Sequence, residues 1–176
     1  MHHEDEEATV TQHDTPTRPA AGGDPSADPS ADPARERDQQ LAERSVTALR
    51  ADDAVARDLG IDLLEVGPGT SRVRMQVRPT MTNGLRTTHG GYVFVLADTA
   101  FAYACNSRGR ATVAAGCDIA FLEPTGAGDV LEAVATERAL RGRSGIYDVS
   151  VLRGDRVVAE FRGRSRALGP SAPPLP

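Results

Sequence analysis

A chain of 176 residues with 39% hydrophobic residues, 4% aromatics and no Trp has room for one domain, with a core built mainly from aliphatic side chains. Its formal charge of −5 is uneven: residues 1–38 carry ten acids against three arginines, net −7, and the rest fifteen acids against seventeen arginines, net +2. That mild surplus excludes a nucleic-acid-binding stripe, which needs a clustered basic face, and with no Lys in the chain the cations suit a small polyphosphate gripped bidentately by Arg.

Residues 1–37 read as a disordered acidic tail, rich in Ala, Pro, Ser and Thr, with a short repeat running from Asp24 to Pro33. Such a segment buries too little apolar surface to offset the entropy of ordering. His2, His3 and His13 lie in it and read as solvated side chains rather than metal ligands. The chain start is acidic, unlike a signal peptide. From Asp38 to Leu59 the spacing of Leu41, Val46, Leu49 and Val55 is helical, with Asp52 and Asp53 as a break into two helices and Gly60 as a stop. The period then changes to two. Ile61–Val66 predicts a strand, Pro68-Gly69 a turn, and Ser71–Arg78 a second strand ended by Pro79.

A polar loop, Asn83-Gly84-Leu85-Arg86-Thr87-Thr88-His89-Gly90-Gly91, opens a helix from Tyr92 to Asn106 that is apolar on nearly every side. Such a helix is expected to be buried on all faces. It contains one ionisable carboxylate, Asp98, which is costly there unless paired or put to use. At about sixteen residues it is too short to span a membrane. Four strand-like runs follow: Thr112–Leu122, Val130–Leu140, Gly145–Arg153 and Arg156–Leu168. Turn signals at Pro124–Gly128, Arg141–Arg143 and Gly154-Asp155 separate them, and a Pro-rich tail occupies 169–176. The order predicts an α+β domain over 38–168, in which a meander of antiparallel strands forms a curved sheet wrapped around the long central helix. Cys105 and Cys117 lack metal-ligand spacing and read as small buried hydrophobes, so no metal site is expected. The expected protein is cytoplasmic, with no membrane and no nucleic-acid partner.

The run Asn83–Asn106 closely resembles the hotdog-fold acyl-CoA thioesterases of the phenylacetic acid degradation type, with their Asn-Gly…His-Gly-Gly loop and Leu-Ala-Asp-[Ser/Thr]-Ala helix. The blocks Thr112–Gly116, Gly142–Asp148 and Ala159–Gly163 are similar to that family in the same order. Leu85-Arg86 stands where the family loop often has His-Gly, and Thr88 replaces a frequent Cys. Exchange of a glycine for Arg86 alters the options of the loop backbone and places a cation at the pocket mouth.

The resemblance implies hydrolysis of a (hydroxy)phenylacetyl-CoA or related aryl or medium-chain thioester to the free acid and CoA, within aromatic catabolism. It requires no cofactor, since coenzyme A is part of the substrate. Gly90, at the helix start, offers a backbone N–H to the thioester carbonyl, as an oxyanion hole does, and Asp98 acts as nucleophile or general base. His89 and Asn83 match positions that support the loop and line the carbonyl side; for His89, loop structure and catalysis both remain open. Gly91 and Thr99 are counted with the substrate-contacting positions. Arg143, Ser144 and Gly145 form a turn able to hold a CoA phosphate, although by composition alone Arg141 and Arg143 are ordinary solvated turn residues. Asp118 and Asp148 read as outward-facing or cross-strand partners.

Gly90 and Asp98 are eight residues apart, about 12 Å along a helix, so one carbonyl cannot reach both within a subunit. A two-fold homo-oligomer, dimer or tetramer (dimer of dimers), with antiparallel central helices resolves this. Two other readings are a hotdog dehydratase or hydratase pairing His89 with Asp98, and a non-catalytic acyl-CoA-binding module.

Overall fold

The computed structural model describes residues 32–169. The histidines at 2, 3 and 13, most of the Asp-Pro repeat and residues 170–176 lie outside the described residues. Three α-helices, α1 (Pro33–Ala51), α2 (Ala54–Leu59) and α3 (Gly90–Asn106), accompany six strands: β1 (Asp62–Gly67), β2 (Thr70–Gln76), β3 (Thr112–Phe121), β4 (Val130–Arg141), β5 (Ser144–Arg153) and β6 (Arg156–Ala167). Among the described residues no helix is long and apolar enough to cross a membrane.

Helix α1 starts at Pro33, inside the stretch read as tail. The Asp32 carboxylate accepts the Ala34 N–H at 2.9 Å and Pro33 takes the first helical position, where its missing N–H costs nothing. The break at Asp52-Asp53 is real. Asp53 caps α2 by accepting the Ala56 N–H at 2.9 Å, and its second oxygen accepts the Tyr103 hydroxyl at 3.0 Å, tying α2 to α3. Val46 is fully buried, but Val55 is 54% exposed and Ala56 faces the core in its place.

The six strands form one antiparallel sheet in the order β1-β2-β4-β5-β6-β3. The predicted four-strand meander is therefore only β4-β5-β6. Strand β3 skips its sequence neighbour β4 and pairs with β6 from Thr112↔Ala167 to Phe121↔Ala159, which leaves it at the sheet edge. The segment between Phe121 and Val130 is thus a crossover, closed by the Gly126 N–H donating to Asp129 Oδ2 at 2.9 Å, and not a hairpin. True hairpins occur where two residues separate strands: Pro68-Gly69, with Gly69 at φ 78°, Gly142-Arg143, with Gly142 at φ 59°, and Gly154-Asp155, with Gly154 at φ 60°.

The sheet curls around α3. Leu96, Ala97, Ala100, Phe101, Tyr103 and Ala104 of α3 are fully buried against Val73, Met75, Leu131, Ala133, Ala135, Tyr147, Val149, Val151 and Phe161. The packing is mostly aliphatic, as the composition requires, around one aromatic cluster. Phe101 meets Tyr147 at 5.5 Å and Phe161 at 5.8 Å between ring centroids. Gly163 permits this approach, because a Cβ there would lie 2.7 Å from the Phe101 ring. The outer face of the sheet is polar, with Asp118 paired to Arg164 at 2.7 Å and Asp148 to Arg162 at 2.7 Å, the cross-strand role read from the sequence.

One expectation for α3 is corrected. The helix is not buried all round: Gly91, Val95, Asp98 and Ala102, at helical spacing, remain at least partly open to solvent within the chain. Thus the sheet covers most of α3 and leaves one stripe, and that stripe contains Asp98.

Candidate active site

The loop that leads into α3 is built from its own side chains. Asn83 Oδ1 accepts the N–H groups of Leu85 at 2.9 Å and Thr87 at 3.2 Å, and its Nδ2 donates to Thr87 Oγ1 at 2.9 Å. Asn83 is therefore the organiser of a tight turn, with both ends of its amide engaged in the loop. Thr88, at the position of a frequent family Cys, is buried; its N–H donates to Thr125 O at 2.7 Å and its hydroxyl accepts that of Thr125 at 2.7 Å. This fastens the loop to the crossover. His89 is the N-cap of α3: its Nδ1 accepts the Gly91 N–H at 3.0 Å, and its N–H donates to Met81 O at 2.8 Å.

These bonds decide which amide is left over. The Gly91 N–H is taken by the His89 ring and the Tyr92 N–H by His89 O at 2.9 Å, whereas the Gly90 N–H has no acceptor among the described residues. It is an orphan donor at the positive end of a 17-residue helix dipole. Beside it lies a cleft of about 460 Å³ lined by Gly90, Val93, Phe121, Leu122, Pro124 and Val158, with Glu123 and the threonines 87, 88 and 125 as its polar lining. A Cβ at residue 90 would approach the Phe121 ring to 3.0 Å, so glycine also keeps the cleft wall open. A mainly apolar cleft with a few polar groups, the free Gly90 N–H among them, has the form of a small-molecule site.

Asp98 is two turns further along α3 and does not line this cleft. It is half-buried, makes no ion pair among the described residues, and receives one long contact, from the Cys117 thiol at 4.0 Å. Burial pushes its carboxyl above the usual range. Cys117 lies on β3 facing Asp98 and is half-buried rather than buried as expected; burial, then the Asp98 charge, raise its thiol pKa. Cys105 is buried, and the same two causes lift its thiol to about 12. Burial and the Asp98 charge thus disfavour the thiolate at both cysteines. That Cys117 faces Asp98 was not visible in the sequence, because nineteen residues and a strand register separate them.

The other expected substrate residues are placed less favourably. Thr99 is buried and its hydroxyl donates to Val95 O at 2.8 Å, the back-bond common for Thr inside a helix. Arg143, Ser144 and Gly145 lie at the opposite end of α3. Arg143 lines a small hollow with Cys105, Arg110 and Thr112 while its Nε donates to Ala167 O at 2.9 Å, and Ser144 accepts Arg166 at 3.2 Å. From Cys105 back to Gly90 is roughly 20 Å along the helix axis. The chain alone therefore brings together His89, Gly90 and Gly91, and leaves Asp98 and the Arg143 turn at successive steps along α3.

The profile of the thioesterase superfamily matches residues 85–160. The acyl-coenzyme A thioesterase PaaI of Escherichia coli strain K12 is 45% identical over 129 residues, 73% of this chain and 92% of that protein. The solved structure of the E. coli PaaI protein from the phenylacetic acid degradation operon superposes with a TM-score of 0.73 at 44% identity, covering 74% of this chain and 96% of that one. A mutant structure of the phenylacetic acid degradation protein PaaI from Thermus thermophilus gives 0.64 at 38% identity, over 66% and 100%.

Proposed function

The chain belongs to the thioesterase superfamily and has its hotdog fold, and on that premise we propose that it hydrolyses the thioester of a (hydroxy)phenylacetyl-CoA or related aryl or medium-chain acyl-CoA to the acid and free CoA. The observation that carries this reading is an unclaimed Gly90 N–H beside an apolar cleft, on the same helix as an unpaired, half-buried carboxylate, Asp98. The name of the E. coli relative supports the substrate class.

The site is completed by a second copy. Antiparallel α3 helices meeting along the open stripe place Gly90 of one subunit opposite Asp98 of the partner subunit. Two features support that contact. The stripe Gly91-Val95-Asp98-Ala102 is left uncovered by the sheet, and β3 is an edge strand with Val113 47% exposed and a run of small apolar residues through Cys117. The first half of that edge, Thr112–Cys117, has no charge and no proline, which leaves it open to pairing. The same antiparallel overlap carries the Arg143 turn of one subunit toward the Asn83–Thr88 loop of the other, where a CoA phosphate is held.

In this arrangement the thioester carbonyl oxygen accepts the Gly90 N–H, which strengthens as the oxygen gains charge. Asp98 of the partner subunit draws a proton from water as it adds to the carbonyl carbon, or adds itself to form, on loss of the thiolate, a mixed anhydride. Water hydrolyses that anhydride to the acid and the free carboxylate, and on this route that water supplies the proton. Collapse of the tetrahedral intermediate breaks the C–S bond, releasing the CoA thiolate, which takes up the proton. His89 and Asn83 hold the loop. His89 is committed through Nδ1 to capping α3, which disfavours the hydratase alternative in which it would act as an acid–base group.

Thiol release over a panel of acyl-CoA esters tests the reading. The wild type is expected to release free thiol and no enoyl product, best with arylacetyl esters, and Asp98→Asn to lose about 10²–10⁴-fold in turnover. Wild-type turnover in the Asn variant, or an enoyl product, overturns it.

A further inference from the structure

Arg86 is the one non-glycine among the described residues with a positive φ, 61°. L-residues avoid this left-handed region, and an outlier there points to function when it lies at a site. It does. Thr87 and Thr88, next in sequence, line the Gly90 cleft, and the Arg86 carbonyl lies 3.8 Å from where a Cβ on Gly126 would stand, beside the opposite cleft residue Thr125. The loop is locked by Asn83 and by the Thr88–Thr125 hydroxyl bond, so the strained backbone is enforced. The Arg86 side chain is exposed and makes no ion pair or hydrogen bond among the described residues. The acids at the cleft are already matched: Glu123, which lines it, pairs with Arg156 at 2.6 Å and Arg153 at 3.7 Å, and Asp129 with Arg153 at 3.1 Å. Arg86 is thus an uncompensated cation at the rim of an apolar cleft, at a position where glycine would fit without strain.

We propose that Arg86 is a specificity-determining residue that grips an anionic group of the acyl-CoA substrate at the mouth of the Gly90 cleft. The proposal rests on the thioesterase reading above. A CoA phosphate and a carboxylate on the acyl chain share the chemistry, since both accept the paired N–H groups of a guanidinium.

The test uses the full chain as wild type, Arg86→Gly and Arg86→Lys. Glycine relieves the backbone strain, so Arg86→Gly is expected to raise Tm by about 2–4 °C and cannot lose function through misfolding. Two matched pairs of thioesters are compared: hydroxyphenylacetyl-CoA against its N-acetylcysteamine ester, which lacks phosphates, and succinyl-CoA against butyryl-CoA, which differ by a terminal carboxylate. In one pair Arg86→Gly raises KM for the anionic member about tenfold relative to its match, and Lys, a point charge without the fork, restores part of it. A changed ratio in the first pair assigns a phosphate, and in the second a carboxylate. Unchanged ratios in both overturn the proposal. If the wild type turns over none of the four, the thioesterase reading fails instead. Calorimetric titration of CoA and of succinate into wild type and Arg86→Gly then decides the matter: weaker binding to the Gly variant sustains the role of Arg86, and equal affinity removes it.

Discussion

Replacing Asp98 by Asn separates the two consequences of burying a carboxylate. Burial raises its pKa, so between the ordinary carboxylate range and the raised value the native chain holds more protons than the unfolded one. Stability therefore falls as pH climbs through that window, and at neutral pH the ionised group is a net cost to folding. Asp98→Asn, uncharged throughout, should melt at a higher temperature than wild type at pH 7, and the difference should vanish below the ordinary carboxylate range. A variant that melts lower at pH 7 would mean the charge is compensated. Gly90 permits a similarly narrow test. Proline is favoured at the first helical position, and the preceding His89 already has φ −63° and ψ 128°, the extended backbone proline requires. Gly90→Pro should keep the far-ultraviolet circular dichroism of wild type yet lose about 10²–10³-fold in kcat, because the N–H is removed, and Gly90→Ala, which keeps the N–H but sets a Cβ 3.0 Å from the Phe121 ring, measures the steric share of that loss. Unaltered kcat would assign the oxyanion contact elsewhere. At this scale the loop was readable in advance, since the side-chain bonds of Asn83 and His89 span four residues or fewer. The engagement of the Thr99 hydroxyl with Val95 follows a local rule and was equally accessible. The facing of Cys117 and Asp98 was not, because it depends on how β3 is registered against α3.

At the scale of elements, hydrophobic alternation located all six strands to within a residue or two, and a polar loop before an apolar run located α3. Alternation tells which residues share a face and says nothing about which strand lies beside which. Hence β3 was placed next to β4 when it pairs with β6. The start of α1 carried a readable signal, Asp32 followed by Pro33, masked by the Asp-Pro repeat it ends. The close packing of α3 on β6 depends on Gly163. Gly163→Ala would press a methyl into the Phe101 ring, flanked by Tyr147 and Phe161, and should destabilise the fold by about 1–3 kcal/mol in urea denaturation. A loss under about 0.5 kcal/mol would show that the ring has room to move.

At the scale of the molecule, the proposed mechanism has one chain present half of each site. The eight-residue separation of Gly90 and Asp98 was legible as soon as both were assigned to one helix, and the open stripe on α3 is what makes a two-fold partner the physical remedy. Ala102 lies on that stripe outside the core, so Ala102→Arg should leave the subunit folded. It should shift sedimentation toward the monomer and abolish thiol release together; a monomer that retains activity would refute the shared site. The most direct measurement mixes two inactive chains. In a hybrid of Asp98→Asn with Gly90→Pro, one site draws its intact Gly90 from the first chain and its intact Asp98 from the second, while the other site has neither. Co-refolding the two variants in equal amounts should restore about a quarter of wild-type thiol release, the share expected when half the dimers are hybrids with one working site. If the mixture stays as inactive as its components, Gly90 and Asp98 do not meet across a subunit boundary.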